Sequence, residues 1–299
     1  SVAAAPRTPA PKAQLGIVGM AARFGTLTDL RELERAIHDG GDGACALPAK
    51  RWRFLGADSA FRASLPRAGD GDESSVRGCF VGAVNVDYRR LKLPLLPEDQ
   101  LQPQQLLALS TIDRALLDCG DAVAKGGRVG VLVGLGTDME LYRHRARVAL
   151  RERLAIAPNE ELTPEQSALL SYVNDVSTST SYTSNIGNII ATRIASVWGF
   201  TGPALTVTQG SNSVFRCLEL AQAMLSTGEV DAVVVAGVDM CGSAEALYTK
   251  TRRVPLATAE RPPTSFEQDA EGFFPGEGAG ALVLKRLADC GSGRVYARV

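Results

Sequence analysis

The sequence predicts an α/β fold in which a sheet is covered by helices on both faces. Two runs, GRVGVLVG at 127–134 and DAVVVAGVDM at 231–240, are apolar at almost every position. Strands buried on both faces of a sheet have this composition. Amphipathic helical segments lie between the strand-like runs, and this alternation is typical of α/β domains.

Composition excludes several classes of protein. The chain has 299 residues, 45% of them hydrophobic, and a formal net charge of −1. That charge gives no field for nucleic acid, and no apolar run approaches the roughly 20 residues of a membrane span. Six scattered cysteines without a CxxC pair or a histidine cluster predict neither a disulfide framework nor a metal site. We therefore expect a cytoplasmic protein with reduced thiols.

The first elements follow an Ala/Pro-rich stretch at 1–13 that is typical of a linker within a longer polypeptide. The domain is then expected to run from 14 to 299. QLGIVG at 14–19 has the composition of a short buried strand. The next helix is predicted to begin with Thr28 or Asp29 as its cap and to end at Gly40–Gly41.

The middle and the end of the chain continue the alternation. PQQLLALSTIDRALLDCG and SNIGNIIATRIASVWGF have helical periodicity, and GEGAGALVLKRL predicts a closing strand after a Gly-rich turn. The charged region 143–165 predicts a surface insertion with helical pieces. Gly276, Gly278 and Gly280 precede a strand rather than a helix, so they predict close backbone packing rather than a phosphate loop.

The segment TGPALTVTQGSNSVFRCLELAQAML, 201–225, has the layout of a site for a nucleophile. A strand at Ala204–Val207 ends in small polar residues, and a helix follows whose N-terminal amides can hold an oxyanion. Ser211 occupies the turn, where it is either a helix N-cap or a serine nucleophile. Cys217 falls inside the helix and is predicted to be a small packing residue.

Five segments in order resemble the N-terminal half of a β-ketoacyl synthase of the thiolase-like superfamily. They are LGIVGMAARFG, LPAKRW, LQPQQLLAL, GFTGPALTV and SFEQDAEGFFPGEGAGALVLKRL. The third departs from the family's DPQQR pattern, because Gln102 replaces Asp and Leu106 replaces Arg. The resemblance implies a βαβαβ half of an αβαβα layered fold, with the C-terminal lobe absent or truncated.

The resemblance also exposes a missing nucleophile. Active family members read DTACSSSL at the turn, and Ser211 takes the place of their cysteine. The family's two histidine motifs belong to the C-terminal half, and neither His38 nor His144 lies in a matching motif. The stretch TSNIGNIIATRIASVWGFTGPALTVTQGSNSVFRCLELAQ is most similar to the chain-length-factor domain of polyunsaturated fatty acid synthases, and GLGTDMELYRHRAR also resembles that subgroup.

Membership in that subgroup would imply a domain without a nucleophile that pairs with an active ketosynthase and shapes its acyl tunnel. The complex would condense units carried as phosphopantetheine thioesters on acyl carrier protein, and this domain would bind no cofactor itself. An acyltransferase or condensing enzyme that uses Ser211, and a structural docking domain with a collapsed pocket, stay open as alternatives. Residues expected at the tunnel and the dimer interface are Gly134, Gly136, Thr137, Met139, Tyr182, Ser184, Gly187 and Asn188.

Overall fold

The computed structural model describes residues 12–52, 76–93, 101–136, 161–171, 187–240, 244–257, 268 and 272–299. In these ranges the strands are β1 (Leu15–Phe24), β2 (Cys45–Ala46), β3 (Arg77–Gly78), β4 (Val129–Leu135), β5 (Ala204–Val207), β6 (Ala232–Asp239), β7 (Gly278–Arg286) and β8 (Ala297–Arg298). The α-helices are α1 (Leu30–Asp39), α2 (Ala49–Trp52), α3 (Pro103–Asp118), α4 (Pro164–Ser171), α5 (Ile189–Trp198), α6 (Ser213–Ser226) and α7 (Ala244–Thr251).

One mixed sheet of six strands organises the domain, in the order β5-β4-β6-β7-β1-β8. β4 pairs in parallel with β5 and β6, whereas β7 is antiparallel to both β6 and β1. The predicted α/β class is confirmed. β1 runs past the predicted end at Gly19 because β7 offers it a partner as far as the Phe24–Gly278 pair.

The two central strands are apolar throughout because each of their faces meets a different core. In β4, Val131 and Val133 belong to the cluster formed with α3 and α5, whereas Leu132 belongs to the cluster formed with α6. β6 divides in the same way, with Val234 on one side and Val233 on the other. Successive side chains of a strand point to opposite faces, so a sheet covered twice needs apolar residues at every position.

Local signals fix the ends of α1. Asp29 is its N-cap, and its carboxylate accepts hydrogen bonds from the backbone amides of Arg31 and Glu32, each at 2.9 Å. Gly40 ends the helix at φ 70°, a left-handed conformation that glycine adopts without the steric cost of a β-carbon. Both ends agree with the sequence-based expectation.

A third and smaller core lies beside the sheet, where α2 and α7 meet the β2–β3 pair. It contains the buried side chains of Trp52, Phe80 and Leu247. This cluster includes no residue of the six-stranded sheet.

Some sequence-based expectations fall outside the described residues. These are most of the linker at 1–13, most of the charged insertion at 143–165, and His144. At the edge of the linker, the backbone amide of Ala13 already donates to Ser226 Oγ at 2.9 Å. None of the helices within the described ranges is long and apolar enough to cross a bilayer.

Candidate functional site

The turn between β5 and α6 places Ser211 beside the edge strand of the sheet. Gly210 adopts φ 54°, and α6 begins two residues after Ser211, at Ser213, with Asn212 as N-cap. The prediction that Ser211 caps the helix is therefore wrong. The reason is that the side chain of Ser213, not that of Ser211, bonds to the backbone of the turn. Its hydroxyl accepts a hydrogen bond from the Gln209 amide and donates one to the Gly210 carbonyl, both at 2.8 Å.

Among the described residues, none is placed to act as a general base for the Ser211 hydroxyl. The Ser211 side chain is exposed, and no described histidine, carboxylate or lysine hydrogen-bonds to its hydroxyl. His38 lies in the last turn of α1 and does not line the space in front of Ser211. A serine hydroxyl needs an adjacent base to become a nucleophile, and the described residues supply none.

Cys217 is a packing residue, as predicted. It lies in α6 with an exposure of 0%, in the core cluster with Leu132 and Ala221. Burial raises the pKa of its thiol from 9.0 to about 11. Because the thiolate is the reactive form of cysteine, this thiol is chemically inert near neutral pH.

The other described cysteines are free thiols, namely Cys45, Cys79, Cys119 and Cys290. Burial raises the pKa of the Cys79 and Cys119 thiols as well. Within the described ranges, no group of three or more histidine, cysteine or acidic side chains is arranged to hold a metal ion.

A large cavity of about 1230 Å³ opens beside the turn, and Ser211 and Ser213 both line it. Small residues from four adjacent strands form part of its wall, because Gly134 pairs with Gly237, Gly237 with Gly280, and Gly280 with Ala22. α6 covers only one end of this row. A β-carbon on Gly134 would lie 3.1 Å from Ser213, whereas one on Gly280 would meet only the tip of the Phe24 ring, at 3.3 Å.

Most residues that line the cavity are apolar, and a few are charged. Its lining includes Met20, Val214, Val235 and Leu282, and, from β6 and the α7 region, Asp239, Lys250 and Arg253. Lys250 Nζ lies 3.8 Å from Asp239 Oδ2. Sequence reasoning overlooked these charged residues, although the KTRR run at 250–253 was a visible signal.

Four of the eight residues expected at the tunnel and dimer interface can be located. Gly134 and Gly136 line the cavity, whereas Gly187 and Asn188 do not. The space above Gly136 and Gly187 is occupied by the chain itself: a β-carbon would lie 2.6 Å from Asp239 Oδ1 at Gly136, and 2.2 Å from Leu135 Cδ2 at Gly187. Their roles in a tunnel stay predictions, and Thr137, Met139, Tyr182 and Ser184 lie outside the described residues.

The three glycines at the start of β7 differ from one another. A β-carbon on Gly278 would lie 2.3 Å from Phe24 Cδ1, so the predicted close packing is confirmed there. At Gly276 the backbone forms a β-bridge with Cys79, but nothing lies within 4 Å of the position of its β-carbon, so no contact there requires glycine. Gly276 is one of the residues that line the cavity.

Comparison with known proteins agrees with this fold. The 287 aligned residues are 55% identical to a subunit of the polyunsaturated fatty acid synthase of Thraustochytrium sp., over 96% of this chain but 14% of that protein. Spectinabilin polyketide synthase system protein NorA′ of Streptomyces orinoci is 29% identical over 95% of this chain and 7% of its own length. The chain thus spans a small part of these relatives.

Solved structures share the fold. The PfaC keto synthase–chain length factor superposes with a TM-score of 0.82 and 31% identity, over 100% of this chain and 32% of that one. A ketosynthase from module 6 of the bacillaene synthase of Bacillus subtilis 168 has a TM-score of 0.69 at 22% identity, over 95% of this chain and 42% of its own. The family model for the β-ketoacyl synthase N-terminal domain matches residues 12–290. The chain therefore belongs to the β-ketoacyl synthase family and carries that family's N-terminal domain.

Proposed function

We propose that this chain is a chain-length-factor-like domain of a polyunsaturated fatty acid or polyketide synthase, without a nucleophile of its own. The observation that carries the proposal is the turn before α6. Ser211 stands there without a described base, and the next cysteine, Cys217, is fully buried with its pKa raised to about 11. A site for acyl transfer to a thiol or hydroxyl needs the opposite of both conditions.

The cavity supports a role in accommodating a long acyl chain. Ligand pockets for compounds of drug size are about 300–1,000 Å³, and this cavity of about 1230 Å³ is larger. Its wall is built largely from glycines and aliphatic residues, among them Gly280, Val235 and Leu282. Each methylene buried against this wall contributes roughly 0.8 kcal/mol, so its apolar part favours an acyl chain that lies along it.

The active partner in this proposal is a ketosynthase domain, and the substrates of the complex are thioesters on the phosphopantetheine arm of acyl carrier protein. The PfaC keto synthase–chain length factor, which superposes over the whole of this chain, combines these two components in a similar protein. We extend that arrangement to this chain.

Co-expression of the full-length protein with its cognate ketosynthase tests the partnership. An obligate interface buries more than about 2,000 Å², so we expect a stable one-to-one complex in light scattering. Two proteins that migrate independently at micromolar concentration would contradict the pairing.

A second candidate function is an acyltransferase or condensing enzyme that uses Ser211. Its supporting observation is that Ser211 is exposed next to a helix N-terminus and lines the cavity. Mass spectrometry of the full synthase after loading with acyl thioester separates the two. We expect an adduct on the cysteine of the partner ketosynthase and none on Ser211, and an acyl group on Ser211 would overturn the proposed function.

A further inference from the structure

Two of the motifs noted in the sequence meet in one buried ion pair. Arg51 belongs to LPAKRW and Glu277 to GEGAG, and the two side chains form paired hydrogen bonds, Nη1 to Oε1 at 2.7 Å and Nη2 to Oε2 at 2.8 Å. The Glu277 side chain has no solvent exposure, and that of Arg51 has 19%. Burying a charged carboxylate without its partners costs several kcal/mol, so the Glu277 side chain depends on the hydrogen bonds that it accepts.

The pair also binds the backbone of Val81. Arg51 Nη2 donates to the Val81 carbonyl at 2.8 Å, and the Val81 amide donates to Glu277 Oε2 at 2.9 Å. Three segments that are distant in sequence therefore share one set of hydrogen bonds. Trp52 and Phe80, the sequence neighbours of Arg51 and Val81, both belong to the third core, so the ion pair is anchored to packed aromatic side chains.

The backbone at Glu277 is held from both sides as well. Its amide donates to the Cys79 carbonyl and its carbonyl accepts from the Gly25 amide, both at 2.9 Å. Cys79, Gly276, Glu277 and Gly278 are all lining residues of the large cavity. The position of this part of the wall is therefore coupled to the ion pair that Glu277 forms with Arg51.

We infer that Arg51 and Glu277 are positioning residues that fix this wall, and through it the length of acyl chain that the cavity accepts. The inference rests on the proposed function, since it assigns a consequence to the same cavity. It does not require either side chain to touch the acyl chain, because the carboxylate is bound on the protein side by Arg51 and Val81.

The test uses the full synthase with Glu277→Gln and with Arg51→Lys, each measured in two ways. Amide hydrogen exchange reports whether the backbone of the cavity wall opens locally. The ratio of neighbouring product lengths reports whether this opening changes the length of acyl chain that the cavity accepts. Arg128→Lys is the matched control, because Arg128 also forms paired hydrogen bonds, to Asp231 at 3.0 and 2.6 Å, but at an exposed position outside the cavity lining.

We expect exchange at the amides of Val81 and Glu277 to become about tenfold faster, with β4 unchanged. The ratio of product lengths should change by about threefold or more in the same variants, and not in the control. If Glu277→Gln prevents assembly, Arg51→Lys decides by the same two measurements, because lysine keeps the charge but cannot form the paired hydrogen bonds.

Unchanged exchange at both amides would overturn the inference. The inference would also be overturned if exchange became faster while the length ratio stayed the same, provided that Gly276→Leu does change that ratio. If Gly276→Leu also leaves the ratio unchanged, the role of the cavity in setting product length fails, and the inference fails with it, whereas the pairing with a ketosynthase is decided separately by co-expression. The two failures are thereby distinguished.

Discussion

Val214 lies directly against Gly237, so that a β-carbon on Gly237 would stand 2.4 Å from Val214 Cγ2. This contact joins the first turn of α6 to β6. A similar approach at Gly134, where a β-carbon would lie 3.1 Å from Ser213, joins the same turn to β4. The two glycines let the helix lie close to the sheet, and this places the turn with Ser211 at the edge of the cavity.

Gly237→Ala should destabilise the protein by about 1–3 kcal/mol, because the added methyl group overpacks the contact with Val214. Denaturant unfolding of the full-length protein measures the change. Val214→Ala in the same chain should recover part of the loss, since it removes the atom that the methyl group meets. Gly82→Ala is the control, because nothing lies within 4 Å of its β-carbon position, and an equal loss there would contradict the steric account.

Ser211→Ala should leave product formation by the whole synthase within a few-fold of the wild type, since no step is assigned to its hydroxyl. Ser213→Ala is the informative comparison, because its buried hydroxyl holds the Gln209 amide at 2.8 Å. Losing that part-buried hydrogen bond costs about 0.5–1.5 kcal/mol, because water can reach the amide of the exposed Gln209. A loss of activity on the order of 10³-fold for Ser211→Ala, the scale for a true nucleophile, would contradict the non-catalytic interpretation.

Cys217 should resist alkylation by iodoacetamide in the native protein at about pH 8, since its thiol has a pKa of about 11 and no exposure. Half-buried Cys45 should be labelled faster, and peptide mass spectrometry compares the two. The folded chain holds the Cys217 proton more tightly than the unfolded chain does, so this thiol's contribution to stability is present below about pH 9 and lost as pH rises towards 11. Equal rates of labelling of Cys217 and Cys45 would contradict the predicted protection of Cys217.

Gly276→Leu should shorten the products of the synthase while the complex still assembles. Gly276 lines the cavity and nothing lies within 4 Å of its β-carbon position, so we expect the new side chain to take volume from the cavity. Overpacking of about 1–3 kcal/mol shifts neighbouring product lengths by roughly one to two powers of ten. Product analysis by gas chromatography measures the profile.

The same substitution at Gly82 is its matched control, because that position is equally open but does not line the cavity. Gly136→Leu and Gly187→Phe test the positions expected from the sequence. At both, the added β-carbon meets the end of the protein's own side chain, Asp239 or Leu135, which must move aside before the new side chain can change the length profile. An unaltered profile in the Gly276 variant would show that this cavity does not set product length.

The sequence predicted the structure best where a local position accepts only one kind of residue, as in strands covered on both faces and at helix ends. The apolar runs of β4 and β6 identified strands covered on both faces, and Asp29 and Gly40 marked both ends of α1. Strand direction was not accessible, because side-chain periodicity is the same whether a neighbour is parallel or antiparallel. The antiparallel half, β6-β7-β1, was for that reason absent from the expectation.

The site was predictable in position but not in detail. Sequence placed Ser211 on the turn, yet the helix begins after Asn212, because a buried hydroxyl two residues after Ser211 closes the turn. Glycine spacing also could not separate Gly278, packed against Phe24, from Gly276, which faces open space. The difference depends on Phe24 of β1, a strand near the other end of the sequence, which packs against Gly278 and not against Gly276.

The pairing of β1 with β7 sets the order in which this domain can form during synthesis. Leu15 leaves the ribosome long before its partner, Arg286, has been made. At about 5–20 residues per second, β1 must wait on the order of tens of seconds for its ladder. Until then an apolar strand lacks its neighbour, and it is exposed to pairing with other chains. We expect nascent-chain protection by chaperones to matter more for β1 than for a strand that is paired earlier, such as β4.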